Sequence, residues 1–261
     1  MGDTLRLMCL AAVQGLAEFL PVSSSGHLAL AEKILGVESP GPALELLLHA
    51  GTLVSICVFY RRRLAELVRS FLRFERAGLA YAGFVAVSMV PALAFYAAAH
   101  DRIDAAFDST RAVGWLLVAN GCLLLLSALT DRMRPSGGGP TALRALAMGV
   151  GQALAVLPGI SRSGTSIHAG RLAGMSPDKA AEFSFIMSVP VILGAVVLAA
   201  KDGLSGLPAG VPAASALLAA AVSAAVGYAA LRLVTGLLSR GRFWTFGVWC
   251  LAAGAAAVAL S

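Results

Sequence analysis

Two apolar segments of this chain stop early, each at a proline followed by a serine-rich turn. The first segment, residues 5–20, leads into PVSSSGH, and the second, residues 145–157, leads into PGISRSGTS. A helix that spans a bilayer needs roughly 20 residues at about 1.5 Å each, so neither segment is long enough. Short apolar pieces resume after the turns, at residues 28–36 and 167–174. Each pair therefore predicts a re-entrant helical hairpin, which enters the membrane and leaves on the same side.

Six other apolar segments are long enough to cross a membrane. Hydrophobic residues make up 58% of the chain and charged residues only 13%, about half the share of roughly 25% that is usual in soluble domains. The composition therefore predicts an all-α membrane protein with six transmembrane helices and two re-entrant helical hairpins. The predicted spans are residues 43–60, 77–99, 112–130, 180–200, 211–234 and 244–260.

The two hairpins are also similar in sequence, which indicates an internal repeat. QGLAEFLPVSSSGHLALA, residues 14–31, aligns without a gap on QALAVLPGISRSGTSIHA, residues 152–169. The predicted repeats are residues 1–137 and 138–261, each with one hairpin and three spans. Three crossings reverse the side of entry, so the second repeat has inverted topology, as in transporters with broken helices. The identical pairs are Gln14/Gln152, Leu16/Leu154, Ala17/Ala155, Ser23/Ser161, Ser25/Ser163, Gly26/Gly164 and Ala31/Ala169.

Arginine residues concentrate in loops on one predicted side of the membrane. Six lie within residues 61–76, three within 132–144 and three within 232–242. The positive-inside rule makes these loops cytoplasmic, so both termini and the first hairpin face outward, and the second hairpin enters from the cytoplasm. The net charge of +6 fits cytoplasmic loops and anionic lipid head groups, and we expect no nucleic-acid partner.

The polar residues of the hairpins form a candidate site. Non-helical backbone is tolerated at membrane depth only inside protein or beside a water-filled cavity. We therefore expect the two turns to face each other around a polar pocket. Gln14 and Glu18, four residues apart, share one face of the first helix. The turns add Ser23, Ser24, Ser25, Gly26 and His27, and Ser161, Arg162, Ser163, Gly164, Thr165 and Ser166.

This set of side chains suits phosphate chemistry at a lipid surface. Arginine offers a planar fork of donors that fits phosphate, and hydroxyls and helix N-termini also bind anions. Glutamate and glutamine can hold a divalent cation whose remaining ligands are phosphate oxygens. Histidine can transfer a proton or attack phosphorus.

Structural interpretations of the same residues compete with this one. Glu18 and Arg162 can form an ion pair that only stabilises the fold, and serines and glycines often serve close helix packing. Ionisable groups in a bilayer are costly and usually functional, which favours a site. Glu45 and His49 are also four residues apart on the next span. Either can support the pocket, but we expect His49 to be a buried, hydrogen-bonded histidine rather than a site residue.

At these residues the sequence resembles the undecaprenyl-diphosphate phosphatase family of the bacitracin-resistance type. QGLAEFLPVSSSGH is similar to the family's first signature and LPGISRSGTS to its second. The resemblance implies hydrolysis of undecaprenyl diphosphate, a polyprenyl diphosphate lipid, to the monophosphate. This reaction recycles the lipid carrier for peptidoglycan synthesis and confers bacitracin resistance. The resemblance also implies a location in the bacterial inner membrane, with the site open to the outer side.

The resemblance also implies roles for individual residues. Glu18, Ser24, His27 and Arg162 match catalytic positions, and a divalent cation, Mg²⁺ or Ca²⁺, would bind near Gln14 and Glu18. Gln14 stands at a position that is Glu or Gln in the family, so one carboxylate is absent here. Ser166 stands where threonine is usual. The predicted substrate-binding residues are Ser23, Ser25, Gly26, Ser161, Ser163, Gly164, Thr165 and Ser166.

Several alternatives stay open at the level of sequence. The nucleophile can be Ser24, His27 or a water molecule, with Glu18 as base. A transporter of polyprenyl phosphate would use the same inverted repeats and phosphate pocket, and a phosphatase for shorter prenyl diphosphates would use the same side chains. Small residues near the C-terminus, as in GAAAVAL, are compatible with helix pairing in a homodimer.

Overall fold

The computed structural model describes residues 3–37, 42–132, 137–201, 212–259 and 261. Within these ranges the regular elements are all α-helices, which confirms the predicted all-α class. The helices are α1 (Asp3–Phe19), α2 (Ser24–Leu35), α3 (Pro42–Phe59), α4 (Arg61–Leu72), α5 (Arg76–Phe107), α6 (Thr110–Arg132), α7 (Ala142–Leu154), α8 (Arg162–Leu172), α9 (Pro177–Lys201), α10 (Ala213–Ser239) and α11 (Thr245–Ala259).

Fewer helices than predicted meet the length and hydropathy needed to cross a membrane. In the described part of the chain α5, α10 and residues 110–129 of α6 qualify, and α3 with α4 makes a fourth if the bent pair counts as one span. The exact arrangement of six spans is therefore not confirmed. Helices α9 and α11 coincide with two predicted spans, but α11 has only 15 residues, fewer than the roughly 20 that spanning requires.

The arginine-rich segment predicted as a loop is mostly helical. Helix α4 turns away from α3 at an angle of 84°. Its arginines alternate at helical spacing with Leu64, Leu67 and Phe71, which gives the helix one apolar and one charged side. An amphipathic helix of this kind is typical of the interface between lipid tails and head groups. The density of arginines is typical of a loop, so the sequence analysis did not recognise the helical spacing of the apolar residues.

The two hairpins begin their second helices in the same way. Ser23 precedes α2 and accepts a hydrogen bond from the Gly26 N–H, and Ser161 precedes α8 and accepts one from the Gly164 N–H. Such serine caps satisfy N–H groups that the first helical turn leaves without partners. These residues are aligned pairs of the internal repeat, so the repeat has a local structural counterpart.

Helix packing connects the two halves of the chain. The first helix of each hairpin packs on a long helix of the other half, α1 on α10 and α7 on α5, and α6 packs along α11. Glycines face backbone across the α6–α11 contact, and a side chain on Gly121 would collide with the Gly247 carbonyl. Small residues permit such close approach between membrane helices. The division at residue 137 stays a prediction.

Candidate active site

The two hairpin turns touch each other in the middle of the protein. The Gly159 N–H donates a hydrogen bond to Ser23 Oγ at 3.2 Å, and Ser163 Oγ donates to the Leu20 carbonyl at 3.4 Å. A Cβ placed on Gly26 would lie 3.1 Å from the Gly159 Cα. The prediction that the two turns face each other is therefore confirmed.

Asn120, in the middle of α6, holds both turns and was missed by the sequence analysis. Its Nδ2 donates to the Pro21 carbonyl at 2.9 Å, and its Oδ1 accepts from the Ser161 N–H at 3.1 Å. The side chain is completely buried. A single asparagine within an apolar span was the available signal, because such a residue needs partners inside the protein.

Gly159 allows the second turn to approach α6. Its φ of +101° is a conformation that side chains disfavour. A Cβ at this position would also lie 2.7 Å from the Val113 carbonyl oxygen. Both observations require glycine at this position, so the turn geometry depends on it.

Glu18 is the centre of the polar site. Its carboxylate accepts hydrogen bonds from the Arg162 guanidinium, from Ser24 Oγ at 2.8 Å and from Gln14 Nε2 at 3.1 Å. The Glu18 side chain is 6% exposed and that of Arg162 19%. Three predicted site residues, from three different helices or turns, thus converge on one carboxylate.

His49 also reaches Glu18, contrary to the expectation of a purely structural histidine. His49 Nε2 lies 3.5 Å from Glu18 Oε2, and its Nδ1 lies 2.8 Å from the Glu45 carbonyl oxygen. Because a carbonyl can only accept, Nδ1 carries a hydrogen and Nε2 faces the carboxylate. The signal in the sequence was the spacing of Glu45 and His49 within an apolar span.

His27 lies outside this group of residues. Its Nδ1 is 3.0 Å from the Ser23 carbonyl oxygen, and its Nε2 accepts a hydrogen bond from Trp249 Nε1 at 2.9 Å. The two rings are stacked, with centroids 6.1 Å apart. An indole can only donate and a carbonyl only accept, so both nitrogens of a neutral His27 ring have partners. His27 connects the first turn to α11.

The predicted substrate-binding residues divide into two groups. Ser23, Ser25 and Ser161 line the cavity beside Glu18 and Ser24. The other hydroxyl groups of the second turn form hydrogen bonds within the turn and the first turn of α8, and so stabilise the start of this helix. Thr165 donates to the Ser161 carbonyl at 2.8 Å and Ser166 to the Arg162 carbonyl at 2.6 Å, while Ser163 contacts Ser161 Oγ at 3.1 Å. Glycines Gly26 and Gly164 lie where the turns meet.

These residues border a cavity of about 500 Å³ between the hairpins, α3, α5 and α9. Its polar wall contains Glu18, Ser24, His49 and Arg162, and its other walls contain apolar residues of α5 and α9. This arrangement of one polar wall and several apolar walls suits a ligand with a charged head group and a hydrocarbon chain. The apolar residues are Ala92, Phe107, Val191 and Ile192.

The site offers few cation ligands of its own. In the described ranges no group of three or more His, Cys, Asp or Glu residues could hold a metal ion. Gln14 Oε1 is nevertheless buried and has no hydrogen-bond partner there, one helical turn from Glu18. Amide and carboxylate oxygens suit Mg²⁺ or Ca²⁺, and Mg²⁺ commonly uses one or two carboxylates together with substrate phosphates. The residues therefore fit a cation that arrives with phosphate.

Fold and site together define a class: an α-helical membrane protein with a phosphate-suited site between two facing hairpins. Sequence comparison identifies the family within this class. The profile of the family described as "Bacitracin resistance protein BacA" matches residues 7–256. The chain therefore belongs to this family.

Named relatives match over almost their whole length. A protein of Rhodopirellula baltica named undecaprenyl-diphosphatase is 37% identical over 265 residues, which cover 100% of this chain and 99% of the relative. Proteins of the same name from Rubrobacter xylanophilus and Syntrophotalea carbinolica are 36% and 34% identical and cover 99% and 98% of their own lengths.

Proposed function

We propose that this membrane enzyme hydrolyses undecaprenyl diphosphate to undecaprenyl phosphate and inorganic phosphate. The observation that carries the proposal is the convergence of Ser24 and Arg162 on the buried Glu18. Family membership and the names of the relatives give the same reaction. The product is the lipid carrier of peptidoglycan synthesis, so the activity recycles the carrier and confers resistance to bacitracin.

Arg162 and the starts of α2 and α8 bind the diphosphate. The guanidinium is partly exposed to the cavity and can turn from Glu18 to the incoming phosphate, where its fork of donors fits two oxygens. Both helices begin at the cavity, and the first N–H groups of a helix attract anions. Ser25 and Ser161 add hydroxyl donors along the wall.

Ser24 is the proposed nucleophile and Glu18 its base. Ser24 Oγ already donates its hydrogen to Glu18 at 2.8 Å, the geometry expected of an activated hydroxyl. Oγ forms a bond to the terminal phosphorus, the proton passes to Glu18, and the bond to the bridging oxygen breaks. Glu18 passes this proton to the departing undecaprenyl phosphate and is a carboxylate again. Water then attacks the phosphoserine, Glu18 takes a proton from the water and returns it to Ser24 Oγ as the Oγ–P bond breaks, and inorganic phosphate leaves.

The two histidines have different proposed roles. His49 faces the Glu18 carboxylate from the cavity, and as an imidazolium, with a hydrogen on each ring nitrogen, it would hold that carboxylate toward Ser24. His27 binds the Ser23 carbonyl and Trp249, so it positions the turn that carries Ser24. The predicted catalytic role of His27 therefore becomes a positioning role in this proposal.

A divalent cation, Mg²⁺ or Ca²⁺, fits beside Gln14 and Glu18. The partnerless Gln14 Oε1 and the Glu18 carboxylate would hold it together with phosphate oxygens. When bound, it neutralises negative charge that develops on the phosphates. The remaining chemistry falls to the protein's own side chains.

The proposed setting is the bacterial inner membrane, with six spans and two re-entrant hairpins. The arginines of α4 favour a cytoplasmic position for this helix. Glu45, near the start of α3, and Phe107, at the end of α5, lie at the opposite ends of their helices from α4, and both line the cavity. The site therefore opens to the outer side.

Phosphate release by the purified protein tests the function. The protein in detergent receives undecaprenyl diphosphate with Mg²⁺ or Ca²⁺, and inorganic phosphate is measured over time. We expect multiple turnovers. Folded protein that releases no phosphate but moves polyprenyl phosphate across vesicle membranes would instead be a transporter.

A further inference from the structure

A second cavity lies next to the candidate active site and is almost entirely apolar. This groove has a volume of about 430 Å³ and is bordered by α4, α5 and α9. Leu67 and Phe71 of α4 form one side, Ala86 and Met89 of α5 a second, and Pro190 of α9 a third. The Tyr81 hydroxyl is the one side-chain polar group among the described lining residues.

The groove continues the active-site cavity along both helices. On α5, Met89 borders the groove and Ala92, about one turn further, borders the active-site cavity. On α9, Pro190 borders the groove and its neighbour Val191 the cavity. The residues that border the two spaces are therefore neighbours along both helices.

The two helices make few close backbone contacts with each other, although the Tyr81 and Phe183 rings meet near the start of both helices. In the described part of the chain α5 packs mainly on α4, α6 and α7, whereas α9 packs mainly on α3, α8 and α10. Neither helix is among the main packing partners of the other. This sparse backbone packing is compatible with a slot between α5 and α9 that joins the polar cavity to the apolar groove.

Polar contacts close one end of the groove. Arg63 on α4 donates to Glu182 on α9 at 3.0 Å, and Lys179 donates to the same carboxylate at 3.2 Å. The Arg63 guanidinium also lies 5.6 Å from the centre of the Tyr81 ring. Both cations donate to Glu182 and neither borders the groove, so the described lining offers no cation to an anionic head group. A chain in the groove is best explained by a head group bound elsewhere.

We propose that the groove under α4 binds the isoprenoid chain of the substrate, which passes from the polar cavity through the slot between α5 and α9. This inference rests on the proposed function, because the diphosphate at Arg162 fixes the start of the chain. Lipid tails are as apolar as the groove, so burial alone gives little affinity. The groove instead directs the chain and limits which chains fit.

Variants that change the groove test this assignment. Ala86→Phe narrows it, and Ala80→Phe, at an exposed position of α5 that borders neither cavity, is the matched control. Turnover of undecaprenyl diphosphate is compared with that of geranyl diphosphate, whose short chain ends near the slot. We expect Ala86→Phe to lower kcat/KM for the long substrate by roughly tenfold and to leave the short one within about twofold.

A second variant covers the case in which Ala86→Phe does not fold. Phe71→Ala removes groove surface from a side chain that is 46% exposed, with the exposed Leu72→Ala as control. We expect kcat/KM to fall for undecaprenyl diphosphate only, because the groove directs the long chain. Equal effects on both substrates, or no effect on either, would overturn the assignment. Either result would be expected if the groove holds the chain of a membrane phospholipid instead. Wild-type protein that hydrolyses neither substrate would refute the proposed function and, with it, this inference.

Discussion

Arg162, the first residue of α8, donates a hydrogen bond to Glu18, near the end of α1, and so joins the two hairpins through their charged groups. The residues are 144 positions apart in the chain. A buried ion pair is expensive to desolvate and rarely the cheapest way to stabilise a fold. The cavity beside the pair provides a functional reason for it.

Glu18→Gln tests whether the carboxylate acts as a base. The amide keeps the size of the side chain but cannot take the Ser24 proton. We expect kcat to fall by about 10²–10⁴-fold, the usual effect of removing a general base. Phosphate release is the measurement, and a variant that keeps wild-type kcat would exclude Glu18 as the base.

Ser24→Ala separates the serine nucleophile from its alternatives. Ser25→Ala is the matched control, because Ser25 Oγ contacts Ser23 Oγ rather than Glu18. We expect Ser24→Ala to abolish turnover, while Ser25→Ala and His27→Ala keep a measurable part of it. Substantial turnover in Ser24→Ala together with none in His27→Ala would remove serine from the nucleophile's role and favour histidine.

His49 is expected to orient Glu18 from the cavity side. His49→Ala should lower kcat by about tenfold with little change in KM, because the contact is with the base and not with the lipid. His49→Gln keeps a polar group of similar reach and should recover most of the loss. If both variants lose activity equally through lower thermal stability, the role is structural.

Asn120 is expected to contribute to stability because it binds both turns. Asn120→Ala leaves the Pro21 carbonyl and the Ser161 N–H without this partner, and each buried group then costs about 1–3 kcal/mol. The midpoint of thermal unfolding in detergent should fall clearly. Leu126→Ala, at a side chain of α6 that is 58% exposed, is the control and should change it little.

Gln14→Glu tests the proposed cation site. A second carboxylate one turn from Glu18 should bind Mg²⁺ or Ca²⁺ more tightly, since both prefer anionic oxygen ligands. Half-maximal phosphate release should then need less cation than in the wild type. Calorimetric titration of the cation, without substrate, gives a readout independent of activity. An unchanged cation requirement and unchanged binding would place the cation elsewhere.

The sequence predicted that the first helix of each hairpin ends early, because a proline after an apolar segment is a local feature. It predicted that the two turns meet because non-helical backbone at membrane depth must lie inside protein or beside a cavity. The structure adds that the aligned residues Ser23 and Ser161 cap α2 and α8. The direction of a side chain depends on tertiary packing and could not be predicted from neighbouring residues. His27 follows Ser24 by only three residues, yet it faces Trp249, 222 positions away in the chain, because α11 packs beside the first turn.

The residues that sequence analysis missed or undervalued depend on tertiary packing. His49 reaches Glu18 only because α3 packs against α1, and Asn120 reaches both turns only because α6 lies next to α8 and α2. Helix α4 was hidden by its density of arginines, although Leu64, Leu67 and Phe71 follow a helical period. The polar residues His49 and Asn120 in apolar spans were informative, but the sequence did not identify the residues that they contact.

The most direct test of the central claim is phosphate release from undecaprenyl diphosphate by the wild type and by Arg162→Ala, with and without a chelator of divalent cations. Arg62→Ala, at an exposed arginine of α4, is the control for lost charge. The proposed site predicts turnover in the wild type and the control, a loss of about 10²–10³-fold in Arg162→Ala, and a loss in chelator that added Mg²⁺ or Ca²⁺ reverses. Full turnover in folded Arg162→Ala would contradict the proposed site.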